Sequence, residues 1–265
     1  MTTSKNINGL DINYVETAGT GLPVFFIHGN SAGLRVFHRQ LNGAFGKRFR
    51  CIAFDMPGCG NSDRSADYSA LFLARMIRDF ILSFGFDSYA VVAHSLGGHL
   101  FFETQPAPGA KGVFLFGVPL LGASASTESP FLDNPVIPLL FSPDLSDADK
   151  ALLIENFCAC GSADDKKMLL SLIDRSDPGL RGGIGRSLNE GKINDEIAEF
   201  RRYDSIKQMM HCAGERIING ASLEQFASFC AGGKILVIEG ASHYPQLENP
   251  SAFENMLGDF LGKLN

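Results

Sequence analysis

No apolar run in this 265-residue chain is long enough to span a bilayer. No lysine or arginine cluster interrupts a net charge of −6, so nucleic acid and anionic membrane are poor partners. The opening residues, MTTSKNINGLDINY, lack the apolar core of a secretory signal, and the expected location is the cytoplasm. Neither a CxxC pair nor a zinc knuckle is present. Cys158 and Cys160 stand two apart, and Cys51, Cys59, Cys212 and Cys230 are scattered, as thiols of a reducing compartment are. Internal repeats and low-complexity tracts are also missing. Nothing in the chain calls for a metal or a cofactor, and the assembly expected is a monomer or homodimer.

What is present is ordinary for a globular chain: 45% hydrophobic and 20% charged residues, enough for one large core. INGLDINYVET carries an Asn-Gly pair between alternating stretches, a hairpin signal. LPVFFIHGN, RCIAFDMPGCG, SYAVVAHSLGG, KGVFLFGVP and KILVIEGASH are continuous apolar runs, the pattern of strands buried on both faces. Between them SALFLARMIRDFILSFG repeats apolar residues at helical spacing. Strands alternating with amphipathic helices predict an α/β fold around a mostly parallel sheet flanked by helices. The alternation stops after Pro119, and residues 119–204 hold short helical stretches such as DADKALLIENFCACG and DDKKMLLSLIDRS. The expected organisation is a core of residues 1–118 and 205–265 with an inserted helical cap, or lid, at 119–204.

Ligands of open parallel sheets gather beyond the carboxyl ends of the strands. Ser95 stands at such an end, in Ala93-His94-Ser95-Leu96-Gly97. A serine on a sharp strand-to-helix turn needs small residues two positions either side, and this is the nucleophile-elbow pattern with alanine in place of the first glycine. The competing role is a helix cap. Two further features favour catalysis. His28-Gly29-Asn30 follows the first long strand, where backbone amides can face an oxyanion; the expected donors are the amides of Asn30 and Leu96. His243, on the loop after the last strand, is placed to serve as general base. His28 and His94 lie within the turns, and His38, His99 and His211 read as structural.

In order and spacing, HGN, DMPGCGNSD, AHSLGGH and GASHYPQLENP resemble the α/β-hydrolase superfamily over nearly the whole chain. HGNSAG, QLNGAFGKRFRCIAFDMPGCGNS, LSLIDRSD and GASHYPQLENPSAF are more narrowly similar to N-acyl-homoserine lactone hydrolases of that fold. The resemblance implies an acid three residues beyond a glycine after the strand before last. Counting from Gly214 reaches Ile217, which cannot orient an imidazole. Three alternatives stay open: Glu215 bends into the role; an acid comes from the strand before the cap, which offers none until Glu128; or a Ser-His pair works alone. Glu215 is the residue chosen here. Asp55 and Asp63 are read as structural; in the family's version of the DMPGCGNSD turn the first aspartate organises backbone N–H groups.

The resulting expectation is a serine hydrolase of a small ester or lactone, with Ser95, His243 and Glu215 as the catalytic set. Candidate substrate-binding positions are Gly29 and His94 beside the turns, and Phe131, Leu132, Phe141 and the Val136–Leu140 run, apolar enough to grip an acyl chain. A carbon–carbon bond hydrolase, a cofactor-free perhydrolase or a hydrolase-like binding protein would use the same scaffold. A serine nucleophile disfavours dehalogenase and epoxide hydrolase chemistry, where that position is an aspartate.

Overall fold

The computed structural model describes residues 3–122 and 128–264. Its eight strands are β1 (Thr3–Ile7), β2 (Leu10–Glu16), β3 (Thr20–Ile27), β4 (Phe49–Phe54), β5 (Tyr89–His94), β6 (Ala110–Phe116), β7 (Ile206–Cys212) and β8 (Leu236–Ile238). They form one sheet in the order β1-β2-β4-β3-β5-β6-β7-β8. Pairing is antiparallel among β1, β2 and β4 and parallel from β4 through β8. Asn8 and Gly9, with φ of 51° and 88°, turn β1 into β2. Left-handed dihedrals at both central residues match a two-residue turn to the twist of its strands.

Two short helices, α1 (His38–Asn42) and α2 (Ala44–Arg48), precede β4; α3 (Ala70–Leu82) precedes β5 and α4 (Leu96–Glu103) follows it. Within the continuous apolar runs the side chains alternate between faces. Phe25, Ile27, Val91, Ala93, Val113 and Leu115 pack toward α3 and α4. Val24, Phe26, Val92, Phe114 and Phe116 pack on the other face, against Leu41 and Phe45 of α1 and α2 and against a C-terminal helix. Both faces are covered, so no polar alternation survives in the sequence of these strands. On α3 the predicted stripe is buried at Leu73, Met76, Ile77, Phe80 and Ile81, while Leu71 lies at its edge, 41% exposed. Ser69 caps that helix by accepting from the Phe72 amide.

After β6 no strand occurs among the described residues until β7. Between them lie α5 (Asp147–Phe157), α6 (Ala163–Arg175), α7 (Pro178–Asn189) and α8 (Glu196–Arg202). Helices α5 and α6 each open with a capping box, Ser146 with Asp149 and Ser162 with Asp165. Leu153, Leu180, Ile184, Ile197 and Phe200 of these helices join the hydrophobic cluster of the sheet face bearing α3 and α4. Helices α9 (Pro245–Glu248) and α10 (Pro250–Leu261) close the chain. No helix among the described residues is long and apolar enough to cross a membrane. Five cysteines are buried and Cys160 is exposed, all unpaired. Burial pushes the Cys51 and Cys59 thiols up to about 12, which leaves them inert.

Candidate active site

Strand β5 is buried throughout and delivers the chain to Ser95, whose φ of 49° and ψ of −125° few non-glycine residues adopt. Such a conformation costs about 1–3 kcal/mol and persists only where its surroundings enforce it. Here the Ser95 amide donates to Phe116 O at 3.0 Å, and Gly98 N donates to Ser95 O at 2.9 Å as α4 begins. The hydroxyl makes no capping hydrogen bond to α4. The capping role is therefore not what this serine performs. A Cβ on Gly97 would lie 2.6 Å from His28 O, so the small residue after the serine is a steric necessity. Ala93 pairs in register with Ile27 and Leu115 and is fully buried, its methyl group accommodated.

Across the sheet's carboxyl edge, His243 Nδ1 lies 2.9 Å from Glu215 Oε2, with both side chains 2% exposed. The second carboxylate oxygen of Glu215 accepts from the Arg216 and Ile217 amides, each at 3.0 Å. The extra methylene of glutamate explains the displaced acid: the side chain folds back over its own turn and caps the backbone of Ile217. Burial pushes the Glu215 carboxyl upward, but the charge and hydrogen bond of His243, with the Ile217 amide, outweigh it and hold the group below its ordinary value. His243 Nε2 is buried with no hydrogen-bond partner among the described residues. His243 and Ser95 line one cavity together with Asn30 and Leu96. No acceptor for the amides of Asn30 or Leu96 lies among the described residues.

The other histidines of the turns are scaffolding. His28 Nε2 accepts from the Met56 amide at 3.0 Å, so its Nδ1–H donates to Gly29 O at 2.8 Å. His94 donates from Nε2 to the carbonyl of His243 at 2.9 Å and holds the histidine loop. Burial lowers both histidines, and the His243 charge lowers His94 further, keeping the rings neutral. His38 and His211 lie away from the cavity. The loop is also fastened by Glu248, which accepts from the Ser242, Tyr244 and Cys160 amides at 2.8, 3.1 and 2.8 Å. Asp55 accepts from the Leu34 and Asn61 amides, the organising role expected of the first aspartate, and Asp63 accepts from the Asp11 amide, a structural tie.

Three expected substrate-binding positions lie elsewhere. Gly29 and His94 sit behind the cavity wall, because the β3 turn packs so tightly on β5 that a Cβ on Gly29 would be 3.0 Å from His94 Nδ1 and from Ser95 Cβ. Leu132 is 39% exposed outside the cavity, its amide tied to Ile217 O so that the side chain turns outward from the wall. Phe131 and Phe141 do line the cavity. In the Val136–Leu140 run, Leu139 and Leu140 line it and Val136 is core.

The cavity offers about 90 Å³ to the centre of a water molecule. A single water needs roughly 10–15 Å³ by that measure, so the space admits a short chain. Its walls are mostly apolar, and Leu153, Phe157 and Leu169 of α5 and α6 line it together with Ser95. Arg181, which the sequence does not single out, is 5% exposed and donates to Ser142 O, Pro143 O and Ser31 Oγ. Ser31 Oγ donates to Asn30 Oδ1, and Asn30 Nδ2 donates to Leu140 O. Helix α7 and residues 140–143 are thereby tied to the turn after β3.

His99, read as structural from sequence, also lines the cavity. Its spacing of four from Ser95 carries that signal, since such residues share a helix face. His99 Nδ1 is 2.8 Å from Glu196 Oε2, which also accepts from the Leu121 amide at 2.8 Å. Nearby Glu103 is 7% exposed, and its carboxylate accepts from the Asn194 amide. Burial, joined by the charge of Glu196, pushes the Glu103 carboxyl up to about 7 against that amide and against His99. Its ordinary value is 4.5, so between 4.5 and about 7 the folded chain holds more protons than the unfolded one. Stability from this group therefore falls as pH rises through that window. Glu103→Gln removes the penalty: the variant should be more stable than the wild type near pH 8, by on the order of 2 kcal/mol, with a correspondingly higher melting temperature, and the difference should close near pH 4.5. Melts at the two pH values check this.

Residues 24–255 match the alpha/beta hydrolase family. The chain is 34% identical over 97 residues, 35% of its length, to the 2-hydroxy-6-oxo-6-(2'-aminophenyl)hexa-2,4-dienoic acid hydrolase of Metapseudomonas resinovorans. That match spans 33% of the relative's own length. Among solved structures, the N-acyl homoserine lactonase AidH complexed with N-butanoyl homoserine superposes with a TM-score of 0.87 at 25% identity, covering 100% of this chain and 97% of that one. An AidH variant with a glutamate replaced by glycine, complexed with N-hexanoyl homoserine, gives the same score and coverage. An esterase from Exiguobacterium antarcticum superposes with a TM-score of 0.82 at 19% identity, covering 99% of this chain and all of that one.

Proposed function

The chain belongs to the alpha/beta hydrolase family, and from that premise we propose that it is a serine hydrolase cleaving small esters or lactones, N-acyl-homoserine lactones among them, through an acyl-enzyme on Ser95. The observation that carries the reading is the Glu215–His243 pair, 2.9 Å apart, with the free Nε2 of His243 in the cavity that Ser95 lines. Glu215 accepts a hydrogen bond from Nδ1–H, which fixes the tautomer in which Nε2 presents its lone pair. Nε2 accepts the Ser95 proton as Oγ attacks the carbonyl, and the carboxylate stabilises the imidazolium that forms. The Asn30 and Leu96 amides hold the oxyanion. His243 then protonates the leaving oxygen, and water, deprotonated by the same nitrogen, releases the acid. Residues 119–204 act as a cap whose apolar wall takes the acyl chain. The AidH structures support this reading in fold and in coverage.

The test is a fluorophosphonate adduct, mapped by mass spectrometry, together with turnover of aryl esters, acyl lactones and a dienoic acid. Labelling at Ser95 with ester or lactone cleavage is expected. An adduct elsewhere, or none, removes Ser95 from the mechanism. The likeness to the dienoic acid hydrolase favours a second reading, carbon–carbon bond hydrolysis; turnover of the dienoic acid alone would select it. Ligand-dependent stabilisation without turnover would make the protein a binder.

A further inference from the structure

We infer that His99, held by Glu196, is a specificity-determining residue: it receives a hydrogen-bonding group that the substrate carries a few bonds from the carbonyl attacked by Ser95. The inference rests on the serine-hydrolase reading above and adds to it what the acyl part must contain. It comes from sorting the polar side chains on the cavity wall by what already holds them. Ser95 and His243 are taken by the chemistry. Asn30, Ser31 and Arg181 are tied to one another and to the Leu140, Ser142 and Pro143 carbonyls. His99 remains. Its Nδ1 is committed to a carboxylate 4% exposed, and that carboxylate is fixed in turn by the Leu121 amide. Nε2 is the ring nitrogen left to meet a ligand, and Glu196 holds the ring in orientation.

Position sets the distance. His99 follows Ser95 by four residues at the start of α4, and four residues of α-helix rise about 6 Å. A group meeting Nε2 therefore lies a few bonds from the scissile carbonyl. Chemistry sets the class. A neutral ring that donates from Nδ1 to Glu196 accepts at Nε2, and a protonated ring donates there. A secondary amide offers both an N–H and a carbonyl, so it satisfies His99 in either state. In a mostly apolar cavity one such partner discriminates strongly, because a ligand lacking it leaves Nε2 unpaired and desolvated.

The experiment compares p-nitrophenyl N-hexanoylglycinate with p-nitrophenyl nonanoate, esters of equal chain length with and without the amide. Each kcat/KM is divided by that ester's alkaline hydrolysis rate. Wild type should favour the amide ester by about 10- to 100-fold. His99→Leu should bring the ratio near one. His99→Gln, whose amide reaches the place of Nε2, should fall between, and it decides the matter if the leucine variant does not fold. A wild-type ratio near one, or variants that keep the wild-type ratio, overturns the inference. A purely structural tie between α4 and α8 would lower the rates on both esters and leave their ratio alone. Failure to cleave either ester, with no fluorophosphonate adduct, overturns the serine reading as well.

Discussion

Ser95→Ala lowers kcat on the best ester or lactone substrate by about 10⁴- to 10⁶-fold while the protein stays folded. The alanine removes the proposed nucleophile and nothing that the fold uses, since the hydroxyl caps no helix and the strained backbone is held by its neighbours. His243→Ala should cost a similar factor, and the double variant hardly more, because nucleophile and base act as one unit. Ser95→Gly adds a stability arm. Glycine adopts φ 49°, ψ −125° more readily than serine, so this variant should melt at a higher temperature than wild type while equally inactive. Steady-state rates with thermal melts check all four proteins. A Ser95→Ala enzyme within tenfold of wild type would leave the elbow without a catalytic role.

The second large effect falls on Glu215. Glu215→Gln keeps the shape but can present its amide N–H to Nδ1, which selects the wrong imidazole tautomer; the expected loss in kcat is about 10³- to 10⁴-fold. Glu215→Asp should lose nearly as much, because the shorter side chain cannot reach His243 from two residues before the usual position. Acid stability moves with it. The folded carboxyl sits below its ordinary 4.5, so it stabilises the fold above that pH, and the contribution is lost as pH falls through the folded value. Glu215→Gln should therefore show a shallower loss of melting temperature than wild type as pH falls below 4.5. Unchanged kinetics in the glutamine variant would return the question to another acid.

Much of this molecule is legible in one dimension. Strands such as VFFI and YAVVAH are buried on both faces, and that demand makes an uninterrupted apolar run that cannot hide in the text. The elbow is legible because its steric needs are local, a small residue two positions either side of Ser95. The acid is not. Its usual position holds Ile217, and only the path of the loop, with two amides waiting for the far oxygen, decides that a glutamate two residues earlier reaches the ring.

The cavity wall divides the same way. Phe131 and Phe141 are apolar in any reading, but that Leu132 between them turns outward is set by a backbone hydrogen bond to Ile217. His94 neighbours Ser95 in sequence yet points behind it, and His99, four residues on, reaches the cavity. The sequence by itself determined the parallel sheet, the elbow serine and the histidine after the last strand, since periodicity and turn sterics act between near neighbours. Only the tertiary structure decided which carboxylate meets that histidine and which polar groups stay free in the cavity, because those contacts join residues far apart in the chain.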